Sequence, residues 1–73
     1  MLAFLMVNSV PIQSERVLEN IAEIAGVEEA YRTFGVYDIV AVVKAETIEK
    51  IKGINLNIRT VKHVVSTLTL IVE

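Results

Sequence analysis

The sequence predicts one α+β domain in which strands and helices follow the order β-α-β-β-α-β. Four segments are rich in Val, Ile, Leu, Thr and aromatic residues, and two segments between them repeat apolar residues at helical spacing. A chain of 73 residues suits a single domain over residues 1–73. Two parallel crossovers around a hairpin define the ferredoxin-like fold: a four-stranded antiparallel sheet, strands one and three central, both helices on one face.

The first strand and the first helix come from the N-terminal part of the chain. Leu2–Val10 has strand length and composition, and Pro11 ends it because proline has no N–H for a sheet ladder. Ser14 is predicted as the N-cap of the helix, and Gly26 as its left-handed C-terminal cap. The apolar residues of this helix fall on one face: Val17, Leu18, Ile21, Ile24 and Ala25.

The hairpin follows the first helix. Val27–Phe34 mixes apolar and polar residues, as expected for an edge strand, and Gly35, Val36 and Tyr37 form the turn. The third strand is predicted over Asp38–Ala45, where the run IVAVV is apolar on both faces.

The second helix and the last strand complete the order. Isoleucines spaced at three and four positions predict a helix from Glu46 to about Arg59, although Gly53 and two asparagines weaken it. Thr60–His63 is a connection, and Val64–Val72 is the last strand.

The strand patterns leave apolar residues on the sheet face that the helices do not cover. Such a patch usually marks an interface, and burying several hundred Å² at ~25 cal/mol per Å² supplies several kcal/mol to a small domain. We therefore predict a homodimer with sheets stacked face to face, as in dimeric α+β barrels; the alternative is a monomer with an apolar surface. The alternating sets are Leu2, Phe4, Met6 and Ala3, Leu5, Val7; Ile39, Ala41, Val43 and Val40, Val42; Leu68, Leu70, Val72 and Val65, Ile71.

Composition excludes several function classes. The net charge is −2 and no basic run occurs, so we expect no direct nucleic-acid partner. The chain has no cysteine, which excludes disulfides and thiolate chemistry. The apolar run Met1–Val7 lacks a basic flank and is far shorter than the ~18–20 residues of a membrane span. We expect a cytoplasmic protein with no membrane partner.

Several short motifs stand at matching strand positions and together resemble a known family. In order they are Gly26-Val27, Tyr31, Gly35-Val36-Tyr37-Asp38 and, inside the last strand, Thr67-Leu68-Thr69. This pattern resembles the RAM domain (regulation of amino-acid metabolism), the C-terminal effector domain of Lrp/AsnC transcriptional regulators. The resemblance extends from Leu2 to Val72.

The resemblance implies an assembly and a ligand, and it has two departures. Domains of this family dimerise through their sheets, form rings of octamers or decamers, and bind free amino acids between dimers near the Gly-x-Tyr-Asp loop. Because Met1 leads directly into strand one, the resemblance implies a stand-alone domain without the helix-turn-helix part, acting through partners such as full-length regulators. The family's Pro-Gly-Val turn is replaced by Val61-Lys62-His63-Val64, so we expect a different turn shape.

Six residues are predicted to bind the ligand. The Asp38 carboxylate would pair with the α-ammonium of an amino acid, and the backbone N–H groups of Gly35, Val36 and Tyr37 would take its carboxylate. The hydroxyls of Thr67 and Thr69 are further candidates. Each feature also has an ordinary explanation: Asp38 ends a turn by bonding backbone amides, Tyr37 packs at a contact, and threonine favours strands.

No residue pattern supports catalysis, and no cofactor or metal site is predicted. The only histidine, His63, has no partner ligands for a metal and lies in a connection, where we expect a solvated side chain. No serine has a base at a recognisable spacing. A small dimeric α+β barrel enzyme and a structural oligomer without a ligand remain the alternatives to an effector-binding module, because the fold hosts many functions.

Overall fold

The computed structural model describes all 73 residues, and its element order confirms the predicted fold. The elements are β1 (Leu2–Ser9), a 3-10 helix (Pro11–Gln13), α1 (Ser14–Ala22), β2 (Val27–Arg32), β3 (Ile39–Lys44), α2 (Ile48–Arg59) and β4 (Val64–Val72). The sheet order is β2-β3-β1-β4, and each neighbouring pair is antiparallel. None of the helices has the length and apolar character that crossing a membrane requires.

The core lies between the two helices and one face of the sheet. Alternate residues of β1, namely Ala3, Leu5 and Val7, are fully buried, because side chains along a strand point to opposite faces in turn. Both helices bring apolar residues at helical spacing to the same cluster. The eleven core residues are Ala3, Leu5, Val7, Val17, Ile21, Ile39, Ala41, Val43, Ile51, Ile54 and Ile58.

The opposite face of the sheet, called here the open face, is also apolar, as predicted. Phe4 pairs with Val42 of β3 on one side and with Leu70 of β4 on the other, and Leu70 is 48% exposed. No helix covers these side chains, so water meets a continuous apolar surface on the single chain. The apolar residues of the open face are Leu2, Phe4, Met6, Val40, Val42, Leu68, Leu70 and Val72.

The strands lie within one or two residues of their predicted ranges, β3 ends at Lys44 instead of Ala45, and the largest difference is in the hairpin, where a loop takes residues from both strands. β4 has the predicted bounds, and β1 is one residue shorter at its end. β2 ends at Arg32 instead of Phe34, and β3 begins at Ile39 instead of Asp38. The reason is that Thr33 and Asp38 close a loop between the two strands through their backbones instead of extending the ladder.

Helix boundaries differ from the predicted ones for local reasons. α2 begins at Ile48 instead of Glu46, because Thr47 is the N-cap and its Oγ1 accepts the backbone N–H of Lys50 at 3.2 Å. The prediction that Ser14 caps α1 is wrong. A 3-10 turn leads into that helix, and the buried Ser14 hydroxyl donates to the carbonyl of Pro11 at 3.0 Å.

Gly26 has the left-handed conformation that its sequence context predicts, with φ of 97°. It does not cap α1 directly, because that helix ends at Ala22 and a turn intervenes. A Cβ at this position would collide with Cδ1 of Ile54 in α2. Gly26 therefore serves both the backbone turn and the close approach of α2.

Replacing Gly26 by alanine is expected to lower the free energy of unfolding by about 2–3 kcal/mol, since both the backbone and the Ile54 contact oppose a Cβ. Gly53→Ala is the matched control. A Cβ there meets nothing within 4 Å, and alanine in a helix adds ~0.5–1 kcal/mol of stability. Urea denaturation at one protein concentration measures both; equal midpoints would contradict the packing described here.

His63 is the one non-glycine residue with positive φ, at 76°. It stands in the turn before β4, and its carbonyl accepts the backbone N–H of Val10 at 3.0 Å. A side chain in the left-handed region costs roughly 1–2 kcal/mol, which glycine avoids. The turn thus uses a glycine-like backbone although its residue is a histidine.

His63→Gly is expected to raise the free energy of unfolding by about 0.5–1 kcal/mol, because the relief of the left-handed backbone exceeds the added entropy of the unfolded chain. Lys62→Gly is the control, since Lys62 has negative φ and gains nothing from glycine. Thermal unfolding of both variants tests the difference; a His63→Gly protein less stable than the parent would refute it.

Candidate functional site

The loop of residues 33–38 is closed by hydrogen bonds and fastened to the central strand. Thr33 donates its backbone N–H to the carbonyl of Asp38 at 2.8 Å and its hydroxyl to the carbonyl of Tyr37 at 2.6 Å. Asp38 donates its own N–H to the carbonyl of Val7 in β1 at 3.0 Å. Gly35 has φ of 120°, so the loop requires glycine there for its backbone. The loop is therefore a defined structure.

The Asp38 carboxylate bonds to the backbone, as the ordinary explanation of this residue expects. Its Oδ2 accepts the N–H of Ser9 at 2.9 Å and lies 3.5 Å from the Ser9 hydroxyl. Its Oδ1 accepts no hydrogen bond from the chain, and no buried polar side-chain atom is without a partner, so Oδ1 reaches solvent. Asp38 forms no ion pair, because the only one in the chain joins Lys50 and Glu46.

Two buried serines, Ser9 and Ser14, support Asp38, a role that was not predicted from the sequence. The hydroxyls of Ser9 and Ser14 lie 2.9 Å apart, and each residue is only 5% exposed. Because Ser14 donates its single proton to the Pro11 carbonyl, Ser9 supplies the proton of the bond between the serines. The Ser9 N–H is then the main donor to Asp38. One signal was available: Ser9 is the polar member of an otherwise apolar inward series in β1.

Apolar side chains at the tip of the loop stand in water. Phe34 is 106% exposed and Val36 is 82% exposed, whereas Tyr37 is half-buried. Hydrogen bonds hold the ends of this loop together, so the backbone from which these side chains project is defined. This loop contains four of the predicted ligand-binding residues, which are consecutive in the sequence: Gly35, Val36, Tyr37 and Asp38.

The two threonines of β4 lie apart from this loop within one chain. Thr67 and Thr69 share the helix-covered face, and Thr67 donates its hydroxyl to Oδ1 of Asn55 in α2 at 2.9 Å. Thr67 pairs with Val7 of β1, which pairs in turn with Ile39 of β3. One full strand therefore separates the threonines from the start of β3, next to Asp38. The single chain therefore does not bring the threonines and the loop together in one site.

Tyr31 and Arg32, at the end of β2, flank the loop on different faces. Tyr31 pairs with Val40 on the open face, whereas Arg32 pairs with the buried Ile39. A hydrogen bond with the Glu29 carboxylate, followed by desolvation and the Glu29 charge, raises the pKa of Tyr31 above its usual value. The phenol therefore stays neutral at physiological pH and gives the open face a polar rim.

No depression on the chain surface is lined by any of the six predicted ligand-binding residues. The nearest one, of about 320 Å³, is lined by Arg32, Thr33 and Phe34 at the base of the loop. No group of three or more His, Cys, Asp or Glu residues is placed to hold a metal ion. The single chain thus presents groups for a ligand without enclosing one.

Comparison with known proteins identifies relatives of the whole chain. The family model described as "Lrp/AsnC ligand binding domain" matches residues 2–72. The HTH-type transcriptional regulator LysM of Saccharolobus solfataricus is 39% identical over 66 residues, which is 89% of this chain and 46% of the regulator. The chain thus spans about half the length of that relative.

Solved structures agree with this comparison. TTHA0845 from Thermus thermophilus superposes with a TM-score of 0.89 at 30% identity, covering 94% of this chain and 88% of that one. E. coli AsnC superposes with a TM-score of 0.89 at 29% identity, covering 97% of this chain and 49% of that one. The match extends over nearly all of this chain in each case.

Proposed function

The chain belongs to the Lrp/AsnC ligand-binding domain family, and from this premise we propose that it binds a free amino acid at the loop of residues 33–38. The observation that carries the proposal is the state of Asp38. One carboxylate oxygen is fixed by Ser9, while the other reaches solvent with no cation beside it. A fixed, unpaired carboxylate next to an exposed loop suits a ligand ammonium group.

The loop backbone suits the other end of an amino acid. The N–H groups of Gly35, Val36 and Tyr37 donate to no acceptor in the chain. Successive backbone N–H groups in a turn form concavities that bind anions, and the left-handed Gly35 permits close approach of a ligand carboxylate. Donors and acceptor within one loop would together recognise a zwitterion.

A second subunit would complete the site. The open face supports a homodimer, because an apolar surface that includes Phe4 and Leu70 is stabilised by burial against its own copy. The exposed Phe34 and Val36 support a further contact between dimers, in a ring such as an octamer or decamer. At such contacts Thr67 and Thr69 of one subunit would approach the loop of another.

The proposed role is regulatory. LysM is named as a transcriptional regulator, not an enzyme, and the chain matches less than half of it. We infer that the domain acts on transcription or amino-acid metabolism in the cytoplasm by co-assembling with full-length regulators through the same surfaces. With a net charge of −2, the chain itself is expected to make no direct nucleic-acid contact.

A panel of the twenty amino acids is expected to include one that raises the melting temperature. Ligand at ~100 times its Kd adds about 2.7 kcal/mol, and each kcal/mol moves the midpoint of a domain this size by about 4–8 °C. Asp38→Asn should weaken binding at least about tenfold by removing the charge that faces the ammonium. Asparagine still accepts the Ser9 N–H, so the fold is kept.

Glu46→Gln is the control for Asp38→Asn, because Glu46 is an exposed carboxylate paired only with Lys50 and distant in sequence from the loop. Its response to the amino acid should equal that of the parent. If Asp38→Asn keeps the full shift, the site assignment is wrong. If no amino acid shifts the parent protein, the proposed ligand class is wrong.

A further inference from the structure

We propose that the chain carries a second ligand site, for a phosphate group, between α1 and the turn that precedes β4. A surface depression of about 470 Å³ lies there, which is within the range of small-molecule sites. Its lining is entirely polar: Gln13, Arg16 and Asn20 from the side of α1, and Lys62 and His63 from the turn.

The charge of this depression opposes the charge of the whole chain. Arg16 and Lys62 are cationic, Gln13 and Asn20 carry amide donors, and no carboxylate is among the lining residues, although the chain has a net charge of −2. Acidic residues of α1, namely Glu15 and Glu19, line a separate depression that shares Gln13 and Arg16. A local surplus of donors and positive charge selects an anion.

The donors are unoccupied within the chain. None of the five side chains makes a hydrogen bond to another residue, and neither Arg16 nor Lys62 forms an ion pair. The backbone N–H groups of Lys62 and His63 also donate to no acceptor. A ligand that binds these groups therefore displaces no hydrogen bond or ion pair within the chain.

The backbone at His63 is a second, independent observation. A histidine occupies a left-handed position that glycine would fill without strain, and its carbonyl holds the N–H of Val10. Strained residues of this kind cluster at functional sites, where the surrounding structure holds them in the strained conformation. The imidazole of His63 adds a hydrogen-bond donor beside Arg16 and Lys62, which glycine would lack.

A phosphate group fits this donor set best. The planar guanidinium of Arg16 matches two phosphate oxygens, Lys62 supplies a point charge, and backbone N–H groups bind the remaining oxygen. Both inorganic phosphate and a phosphate monoester present this chemistry. The site shares no residue with the Asp38 loop, so phosphate binding can be tested independently of amino-acid binding.

Isothermal titration calorimetry with two probes, inorganic phosphate and adenosine 5′-monophosphate, tests the site at low salt. Saturable binding with a Kd of about 1 mM or tighter is expected. Arg16→Gln should weaken it about tenfold or more, whereas Lys52→Gln, which removes an exposed cation of α2 outside the depression, should leave it unchanged. The Asp38→Asn variant should also bind both probes like the parent.

His63→Gly separates binding from folding. This variant is expected to be more stable than the parent yet to bind the probes more weakly, a combination that a merely structural histidine does not give. Equal affinities for the two probes would identify free phosphate as sufficient, and tighter nucleotide binding would identify a phosphate monoester. Absence of saturable binding up to ~10 mM, or equal loss in Arg16→Gln and Lys52→Gln, would overturn the proposal.

Discussion

The sheet is apolar on both faces, while both helices pack on only one of them, and the rest of the structure depends on this imbalance. Eleven residues form the core of a 73-residue chain, and a domain this small buries only about 60% of the surface that its unfolded chain exposes. The open face around Phe4 is formed by the same types of apolar side chain as the core. A second copy of the chain is the simplest cover for it, because an isologous contact needs no other surface.

Polar groups of the loop and of the turn before β4 lie close together at the end of the sheet where β1 reaches Ser9. Ser9 bonds to Asp38 through its N–H and pairs with Val64, the neighbour of His63, on the other side of β1. The loop that carries Asp38 and the turn that carries His63 are thus separated by a single strand.

The spacing of apolar residues and the composition of each segment were enough to predict the fold. Runs of β-branched residues located β4, and apolar residues at both odd and even positions of β1 and β3 predicted the apolar open face from the sequence alone. Gly26 was predicted as left-handed because only glycine adopts that backbone freely, and its φ is positive. These features depend on local chemistry, which a sequence displays directly.

The features that the sequence did not predict depend on how the folded backbone orients particular side chains. Ser14 has the composition of a helix cap, but its hydroxyl bonds to Pro11 and Ser9 because a 3-10 turn places it inward. The strand pattern alone did not show that Thr67 is turned toward Asn55 and away from the loop. The positive φ of His63 was not predicted either, because a single histidine in a connection gives no sequence signal for a left-handed backbone.

Light scattering coupled to size exclusion tests the central claim, that a second copy covers the open face. The parent chain of 8.1 kDa is expected to elute with at least twice that mass at micromolar concentration. Phe4→Glu, which puts a charge in the middle of the open face, is expected to elute with the mass of one chain and to keep its circular dichroism spectrum. A parent protein that is monomeric at those concentrations would contradict this claim.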